Sequence, residues 1–468
     1  MDYDFAIIGG GSAGYAAART AADQGLKTVV IEGGREIGGL CILRGCMPSK
    51  TLIESANRNL TLRRAAEFGL RASQLEVHAG EIIARKRRLI GEFAGYRREQ
   101  LESGKFDFVR GFAKFSDPHT VEITGLDGAS RALTARSFLI ATGSEINKPN
   151  VPGLADCGFL TSDDILELEE LPDSIIVLGA GPVALEMAHY LEALGVKVTV
   201  IQRGPHLLTG TDPDIAGALE HALRKRGLAI FTGAAILGIE CPAGRKRIRF
   251  RHREEEKSLE ASSLLNALGR NANIHGLALD AAAIGVERGK IRVNSHLQSG
   301  QPHVFAAGDS AGPLEIVHIA VEQGELAARN AARLLAGDPE DAFESMDYRL
   351  KLFAVFTEPQ VAVAGLSEAE ARDQGIDYAT ATHPFDDHGK SLVMGESEGF
   401  VKLMADRKSG EIIGGSVTGP HASDLIHEIV VAMAFHATAA QLANVPHYHP
   451  TLSEIWTYPA GELADSTA

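Results

Sequence analysis

Two of the chain's four cysteines, Cys41 and Cys46, stand five positions apart in Gly38-Gly39-Leu40-Cys41-Ile42-Leu43-Arg44-Gly45-Cys46-Met47-Pro48-Ser49-Lys50. Thiols so spaced make a redox pair, part of a metal site, or two small buried side chains. Five residues of helix rise about 7.5 Å, whereas a disulfide needs its Cα atoms within roughly 4.4–6.8 Å. Joining these two therefore requires a bent or unwound turn, which Gly45 permits. Spacing alone leaves the readings open. Near the other end, His447-Tyr448-His449-Pro450 offers two imidazoles, but in a chain with 17 histidines neither stands out by itself. No cysteine or acid accompanies them at ligand spacing, so no metal site is expected.

The elements that would position the thiols begin at the N-terminus. Phe5-Ala6-Ile7-Ile8 reads as a short buried strand, followed by Gly9-Gly10-Gly11-Ser12-Ala13-Gly14 and an alanine-rich helix to about Asp23. A second apolar strand, Lys27 to Ile31, ends in Glu32. A bare G-x-G-x-x-G is a weak signal, but this one lies between strand and helix with an acid at the next strand's tip. Gly9 would make the tight turn, Gly11 would admit a pyrophosphate to the backbone, and Gly14 would let the helix pack closely. The helix N-terminus favours phosphate charge, and Glu32 can accept from a ribose hydroxyl.

The device recurs. Ser174 to Leu178 reads as a strand, Gly179-Ala180-Gly181-Pro182-Val183-Ala184 as the loop, and Lys197 to Ile201 as the next strand. Glu32 follows Gly9 by 23 positions, and Gln202 follows Gly179 by the same 23. Two dinucleotides are expected. A carboxylate in the second copy would repel a ribose 2′-phosphate, whereas Gln202 beside Arg203 tolerates or binds it. NADPH is therefore favoured over NADH, the alternative being that Arg203 is only a solvated loop charge.

Elsewhere, Glu81 to Glu102 mixes Arg85, Lys86, Arg87 and Arg88 with Ile82, Ile83, Leu89, Ile90 and Phe93, and reads as a helix with a solvated basic face. Val109 to Thr124 and Ala132 to Ala141 read as strands, the latter running into Thr142-Gly143-Ser144. Pro149 and Pro152-Gly153 mark a first domain boundary. Phe231 to Leu268 is strand-rich and ends in Ala267-Leu268-Gly269-Arg270, echoing Ala141-Thr142-Gly143-Ser144. The strand His303 to Ala307 leads into Gly308-Asp309, an acid suited to an Asx turn or to a cofactor polyol. A different region starts near Asp347, with strands around 354–356, 361–364 and 400–404, helices at 423–436 and 438–443, and a short polar, mobile tail after Pro459.

At 468 residues the chain exceeds one core and predicts two to four domains. Its 45% apolar and 23% charged residues are those of a globular protein. Lys and Arg total 46 against 61 Asp and Glu, a formal charge of -15 that argues against nucleic acid or an anionic membrane as partner. No apolar run approaches the roughly 18 residues of a membrane span, and an acidic N-terminus leads straight into a strand. A cytoplasmic location is expected. Cys157 and Cys241 fall outside any motif and read as inert.

Taken in order, Gly9-x-Gly11-x-x-Gly14, Glu32, Cys41/Cys46, Thr142-Gly143, the second fingerprint, Gly308-Asp309 and His449-Pro450-Thr451-Leu452-Ser453-Glu454 resemble the pyridine nucleotide–disulfide oxidoreductase family from Tyr3 to about Tyr458. The closing motif looks most like the dihydrolipoamide dehydrogenase group. The resemblance implies an α/β fold with two Rossmann-like dinucleotide-binding domains and a C-terminal α+β dimerisation domain. FAD binding would occupy 1–150, NAD(P) binding 151–270, a central domain completing the FAD half 271–346, and the homodimer interface 347–468. Gly9, Gly11, Gly14, Glu32 and Asp309 match FAD-binding positions, as Thr142 and Gly143 do more loosely. Gly179, Gly181 and Ala184 match the nicotinamide-dinucleotide loop, with Gln202 and Arg203 at its ribose end. Lys50 and Glu186 match a pair beside the flavin's nicotinamide side. Cys41 would be the interchange thiol and Cys46 the thiol against the flavin. His449, oriented by Glu454, would carry the proton into the other subunit's site.

The implied activity passes electrons between NAD(P)H, FAD, the Cys41–Cys46 disulfide and a small dithiol or a lipoyl-carrying protein. Leu40 and Leu43 stand where the family usually has Thr and Asn, which puts redox potential and substrate range in question. Gln202-Arg203 likewise departs from the acid of an NAD-linked dihydrolipoamide dehydrogenase and keeps a glutathione-reductase-like activity in view. A mercuric-reductase-like activity fits less well, since no cysteine follows Cys241. A redox-sensing flavoprotein without turnover is the alternative of another kind.

Overall fold

The computed structural model describes residues 1–71 and 75–467. The chain divides into two compact units. The first comprises Met1–Pro48, Ala84–Asn147 and Gly269–Asp347; the second comprises Ser49–Ile83, Lys148–Leu268 and the chain from Tyr348 onward.

In the first unit the apolar run Phe5-Ala6-Ile7-Ile8 forms the centre of a parallel sheet. Strand Tyr3–Ile8 lies between Thr28–Glu32 and Ser130–Ile140, with Ile7 level with Val30 on one side and Leu139 on the other. Val304–Ala306 and Asp107–Asp117 extend the sheet outward. Strands buried on both faces read as continuous apolar runs, as these do. Beyond the parallel part, Asp107–Asp117, Thr120–Gly125 and Ser130–Ile140 continue as an antiparallel meander. The sheet separates two cores: Phe115, Phe138 and Ile123 belong to one, and Phe5, Ala17 and Phe305 to the other.

Among the described residues, the second unit holds three sheets. Ser263–Asn266, Ser174–Leu178, Lys197–Ile201 and Ala229–Phe231 form a parallel sheet. Ala235–Glu240, Lys246–His252 and Glu255–Ala261 form an antiparallel one. Five further antiparallel strands run in the order Leu352–Val355, Gln360–Gly365, Ile412–Gly419, Phe400–Asp406 and Tyr378–Pro384. Helix Ala422–Ala434 covers this last sheet through Ile426, Ile429 and Met433.

Three expectations are corrected. The tail after Pro459 is no loose end: helix Thr457–Thr467 runs through it and buries Ala460 and Leu463. On helix Ala79–Leu101, Arg85, Arg87 and Arg88 are solvated, but Lys86 is buried, because it falls on the same stripe as Ile90. Cys157 and Cys241 are not inert single thiols; they form a disulfide across 84 positions. The Ile239 N–H bonds the Pro152 carbonyl at 2.9 Å, and a Cβ on Gly153 would lie 1.9 Å from the Ile239 carbonyl. That backbone approach, invisible in the sequence, brings the two cysteines together.

Candidate active site

The first fingerprint is held by contacts only glycine permits. Gly9 has φ +107°, and a Cβ there would sit 2.3 Å from the Ala141 carbonyl oxygen. A Cβ on Gly14 would sit 1.8 Å from the Gly9 carbonyl oxygen. Gly11 is different: nothing lies closer to its missing Cβ than the Gly39 Cα at 3.8 Å, which leaves its backbone approachable. Glu32 braces this turn, accepting from the Gly10 N–H at 2.8 Å through one oxygen and from the Gly34 N–H at 2.6 Å through the other. A carboxylate has about four acceptor positions, so two remain for a ribose.

At the far end of the same cradle, the Ser144 hydroxyl donates to Asp309 at 2.6 Å, and Arg270 Nε donates to Ser144 Oγ at 2.8 Å. Burial pushes the Asp309 carboxyl above its ordinary range. The Thr142 hydroxyl oxygen is buried and has no hydrogen-bond partner among the described residues. Approachable backbone at Gly11, spare acceptors on Glu32, a half-buried Asp309 and an orphaned hydroxyl fit a flavin dinucleotide. Gly143, at φ +69°, turns the chain between Thr142 and Ser144.

The cysteine stretch rests directly on this loop. A Cβ on Gly39 would lie 2.6 Å from the Gly11 Cα, so the two backbones touch. Cys41 lies on the short helix Gly39–Leu43, and Cys46 opens the helix Cys46–Arg63. The break falls at Arg44-Gly45, where a Cβ on Gly45 would meet the Leu40 carbonyl at 3.0 Å and the Cys41 Cα at 3.2 Å. The turn is thus folded back on Cys41 as a single helix could not be. Pro48 sits in the first turn of the second helix, where a missing N–H costs nothing. Leu43 packs over Gly38, its Cγ 3.1 Å from where a Cβ would be.

The second fingerprint repeats the first turn, with Ala184 in place of its third glycine. Gly179 has φ +99°, and its Cβ would meet the Ala267 carbonyl oxygen at 2.6 Å, the counterpart of Gly9 against Ala141. Gly181 faces open space, Pro182 starts the helix Pro182–Ala193, and Ala184 is fully buried against the core. The Gln202 amide donates to Thr209 Oγ1 at 3.2 Å and closes the following turn, while Arg203 is left exposed. Lys50 and Glu186 meet: the ammonium reaches both carboxylate oxygens, at 2.9 and 2.8 Å. The Phe356 N–H adds a bond to Glu186 at 3.1 Å, and Lys50 Nζ lies 4.6 Å from the Phe356 ring centre.

His449 and Glu454 also meet, with Nδ1 of the ring 3.0 Å from Oε2. The imidazole is 79% exposed and the carboxylate 12% exposed, so a held acid presents a free ring outward. Glu454 is fixed by its neighbours: Ile455 and Trp456 are fully buried, and the indole N–H donates to the Leu425 carbonyl at 3.1 Å. His447 turns to a different carboxylate, Glu428, at 2.7 Å. The second oxygen of Glu454 faces His388, a residue no motif singled out. Cys41 and Cys46 belong to the first unit, and His449 to the second.

Asp212, Asp214 and Glu368 form an acidic trio at metal-binding spacing. The buried ammonium of Lys402 lies 2.8 Å from Asp212 and 2.9 Å from each of the other two, so the trio already shares a cation of the chain's own.

Residues 3–324 match the family described as pyridine nucleotide-disulphide oxidoreductase, and residues 353–460 match its dimerisation domain. A dihydrolipoyl dehydrogenase of Bacillus subtilis (strain 168) is 35% identical over 466 residues, covering 97% of this chain and 96% of the relative. A mercuric reductase of Bacillus cereus is 32% identical, covering 97% of this chain and 70% of the relative. Among solved structures, LpdA from Mycobacterium tuberculosis superposes with a TM-score of 0.87 at 29% identity, over 98% of this chain and 99% of that one. The HOCl-induced flavoprotein disulfide reductase RclA from Escherichia coli, as its Cu(II) complex, does so at 0.86 and 25%, over 99% of each chain.

Proposed function

The chain belongs to the pyridine nucleotide-disulphide oxidoreductase family, as a homodimeric enzyme using FAD and NAD(P)H, and we propose that its own reaction is that of a dihydrolipoyl dehydrogenase. In this reading 1–150 and 271–346 hold FAD, 151–270 holds the nicotinamide dinucleotide and 347–468 forms the interface. FAD, when bound, supplies two-electron exchange between a nicotinamide and a disulfide. The observation that carries the reading is the glycine-only seating of the cysteine stretch: Gly39 on Gly11 and Gly45 on Cys41.

Cys41 and Cys46 close a disulfide in the oxidised enzyme. A substrate thiolate attacks Cys41 Sγ, forms a mixed disulfide and releases Cys46 as a thiolate. Cys46 sits at the N-terminal end of an 18-residue helix, whose positive end favours an anion there. The second substrate thiol gives its proton to His449 Nε2, attacks its partner sulfur in the mixed disulfide and frees Cys41. Glu454 keeps the proton of His449 on Nδ1, so that Nε2 is the accepting atom. Two electrons then reside on the cysteines and one proton on the imidazole. Lys50, held on both oxygens of Glu186, would supply the ammonium that stabilises charge on the flavin when it is reduced.

The substrate is a small dithiol or a lipoyl group on a carrier protein, with NADP(H) preferred through Arg203. The test is a matrix of NADH and NADPH against lipoamide, glutathione disulfide and Hg(II), run with FAD-loaded protein. Lipoamide turnover that disappears in Cys46→Ser, together with its long-wavelength band on two-electron reduction, is the expected result. Turnover with Hg(II) alone, or a band that survives the substitution, contradicts the assignment.

A further inference from the structure

The carboxylate that holds His449 has a second oxygen in unusual company. His388 is fully buried between the turn Phe385–Asp387 and the helix Gly389–Met394. Its Nε2 faces Glu454 Oε1 at 3.5 Å, and its Nδ1 lies 2.8 Å from Ser391 Oγ. Nε2 makes no hydrogen bond of ordinary geometry among the described residues, and Glu454 Oε1 is the polar atom it faces. Glu454 therefore stands between two imidazoles, one buried on Oε1 and one exposed on Oε2.

The arrangement determines where the protons sit. An ionised carboxylate only accepts, so the nitrogen facing it carries the hydrogen. In a neutral ring Nδ1 is then the acceptor, and the Ser391 hydroxyl is the donor that suits it. Burial lowers the His388 pKa from its ordinary value, against the pull of Glu454 and with the help of His383 and His449. The ring is thus neutral at neutral pH. Its other neighbours are the Phe385 and Tyr458 rings, each 6.4 Å away, with His383 stacked on Tyr458 at 4.0 Å.

We propose that His388 is a positioning residue for the acid–base pair: with Nε2 facing Glu454 Oε1 at 3.5 Å, it supplies the buried polar contact that keeps the other oxygen, Oε2, on Nδ1 of His449. The proposal rests on the reading of His449 as the proton carrier. It has a physical motive. Within its own chain His449 is exposed, so Glu454 is the group of that chain that sets its orientation. Ser391, itself buried, holds the tautomer of His388 one step further back.

The test uses the full-length FAD-loaded dimer in two assays. Dihydrolipoamide oxidation requires the proton transfer; nicotinamide-driven reduction of ferricyanide bypasses it. His388→Leu should lower kcat in the first assay by about tenfold and leave the second within about twofold. It should also move the acid limb of the kcat–pH profile to lower pH, because a loosely held Glu454 stabilises the imidazolium less. His388→Gln, whose amide nitrogen takes the place of Nε2, should restore most of the rate. Ser391→Ala should shift the profile in the same direction, which keeps the test alive if His388→Leu does not fold. Combining His388→Leu with His449→Gln should be no slower than His449→Gln alone. An unshifted profile in both single variants, or additive losses in the double variant, overturns the proposal. Full dithiol turnover in His449→Gln overturns instead the reading beneath it.

Discussion

Arg203 is the residue on which nicotinamide choice turns in this account. It stands exposed where strand Lys197–Ile201 ends, while the Gln202 amide beside it is committed to Thr209. A guanidinium bonded to a phosphate contributes about 1.5–3 kcal/mol, which corresponds to roughly 10–100-fold in affinity. Arg203→Glu should therefore raise KM for NADPH by at least about tenfold while changing KM for NADH little; steady-state kinetics with both nucleotides checks this. Equal effects on the two would make Arg203 a solvated charge. Leu40 and Leu43, the departures beside the cysteines, divide at this scale. Leu43 has a structural explanation in its packing over Gly38. Nothing in the structure explains Leu40.

At the scale of elements, Lys402 joins three carboxylates contributed by the start of helix Pro213–Lys225 and by helix Glu368–Asp373 to the strand Phe400–Asp406. Burial disfavours the charged lysine, yet its bonds to Asp212, Asp214 and Glu368 outweigh this and raise its pKa. That contribution is intact well into alkaline solution. For Glu368 burial acts upward, but Lys402 dominates and takes the pKa below its usual 4.5. A carboxylate so depressed stabilises the fold above that pH and ceases to do so as the pH falls through its folded value. Lys402→Met, which leaves the acids uncompensated, should cost about 3–5 kcal/mol at pH 7. Denaturant unfolding should show the deficit shrinking below pH 4.5. A deficit independent of pH contradicts the ion-pair account.

The elements also show what sequence reading reaches. Both fingerprints were legible because Gly9 and Gly179, at φ +107° and +99°, turn a strand into a helix, and that strand–turn–helix pattern is local. The echo of Ala141-Thr142-Gly143 in Ala267-Leu268-Gly269 was legible as a repeated pattern, whereas the contact of each alanine carbonyl with its copy's first glycine is long-range and appears only in the fold. Strand Ile412–Gly419 was not legible, because Gly414-Gly415 reads as a turn. Glycine is needed there for long-range reasons: a Cβ on Gly414 would lie 2.4 Å from the Leu366 carbonyl, and one on Gly415 would lie 2.9 Å from the Ile429 side chain. The Cys157–Cys241 bond and the place of His388 behind Glu454 were hidden likewise, since both join residues that only the fold brings near.

For the whole molecule, the homodimer presents an exposed imidazole on an acid that is 12% exposed. In the proposed reading each catalytic centre would take its cysteines from one chain and His449 from the other, so that neither copy alone would be complete. Co-expression of Cys46→Ser with His449→Gln tests this most directly. In a hybrid dimer one site combines both substitutions and the other has neither. Random pairing of equal amounts makes about half the dimers hybrid, each with one intact site. Recovery to about a quarter of the wild-type dihydrolipoamide turnover is expected from two parents that are each nearly inactive. A mixture as inactive as its parents, with hybrid dimers shown to be present, contradicts it.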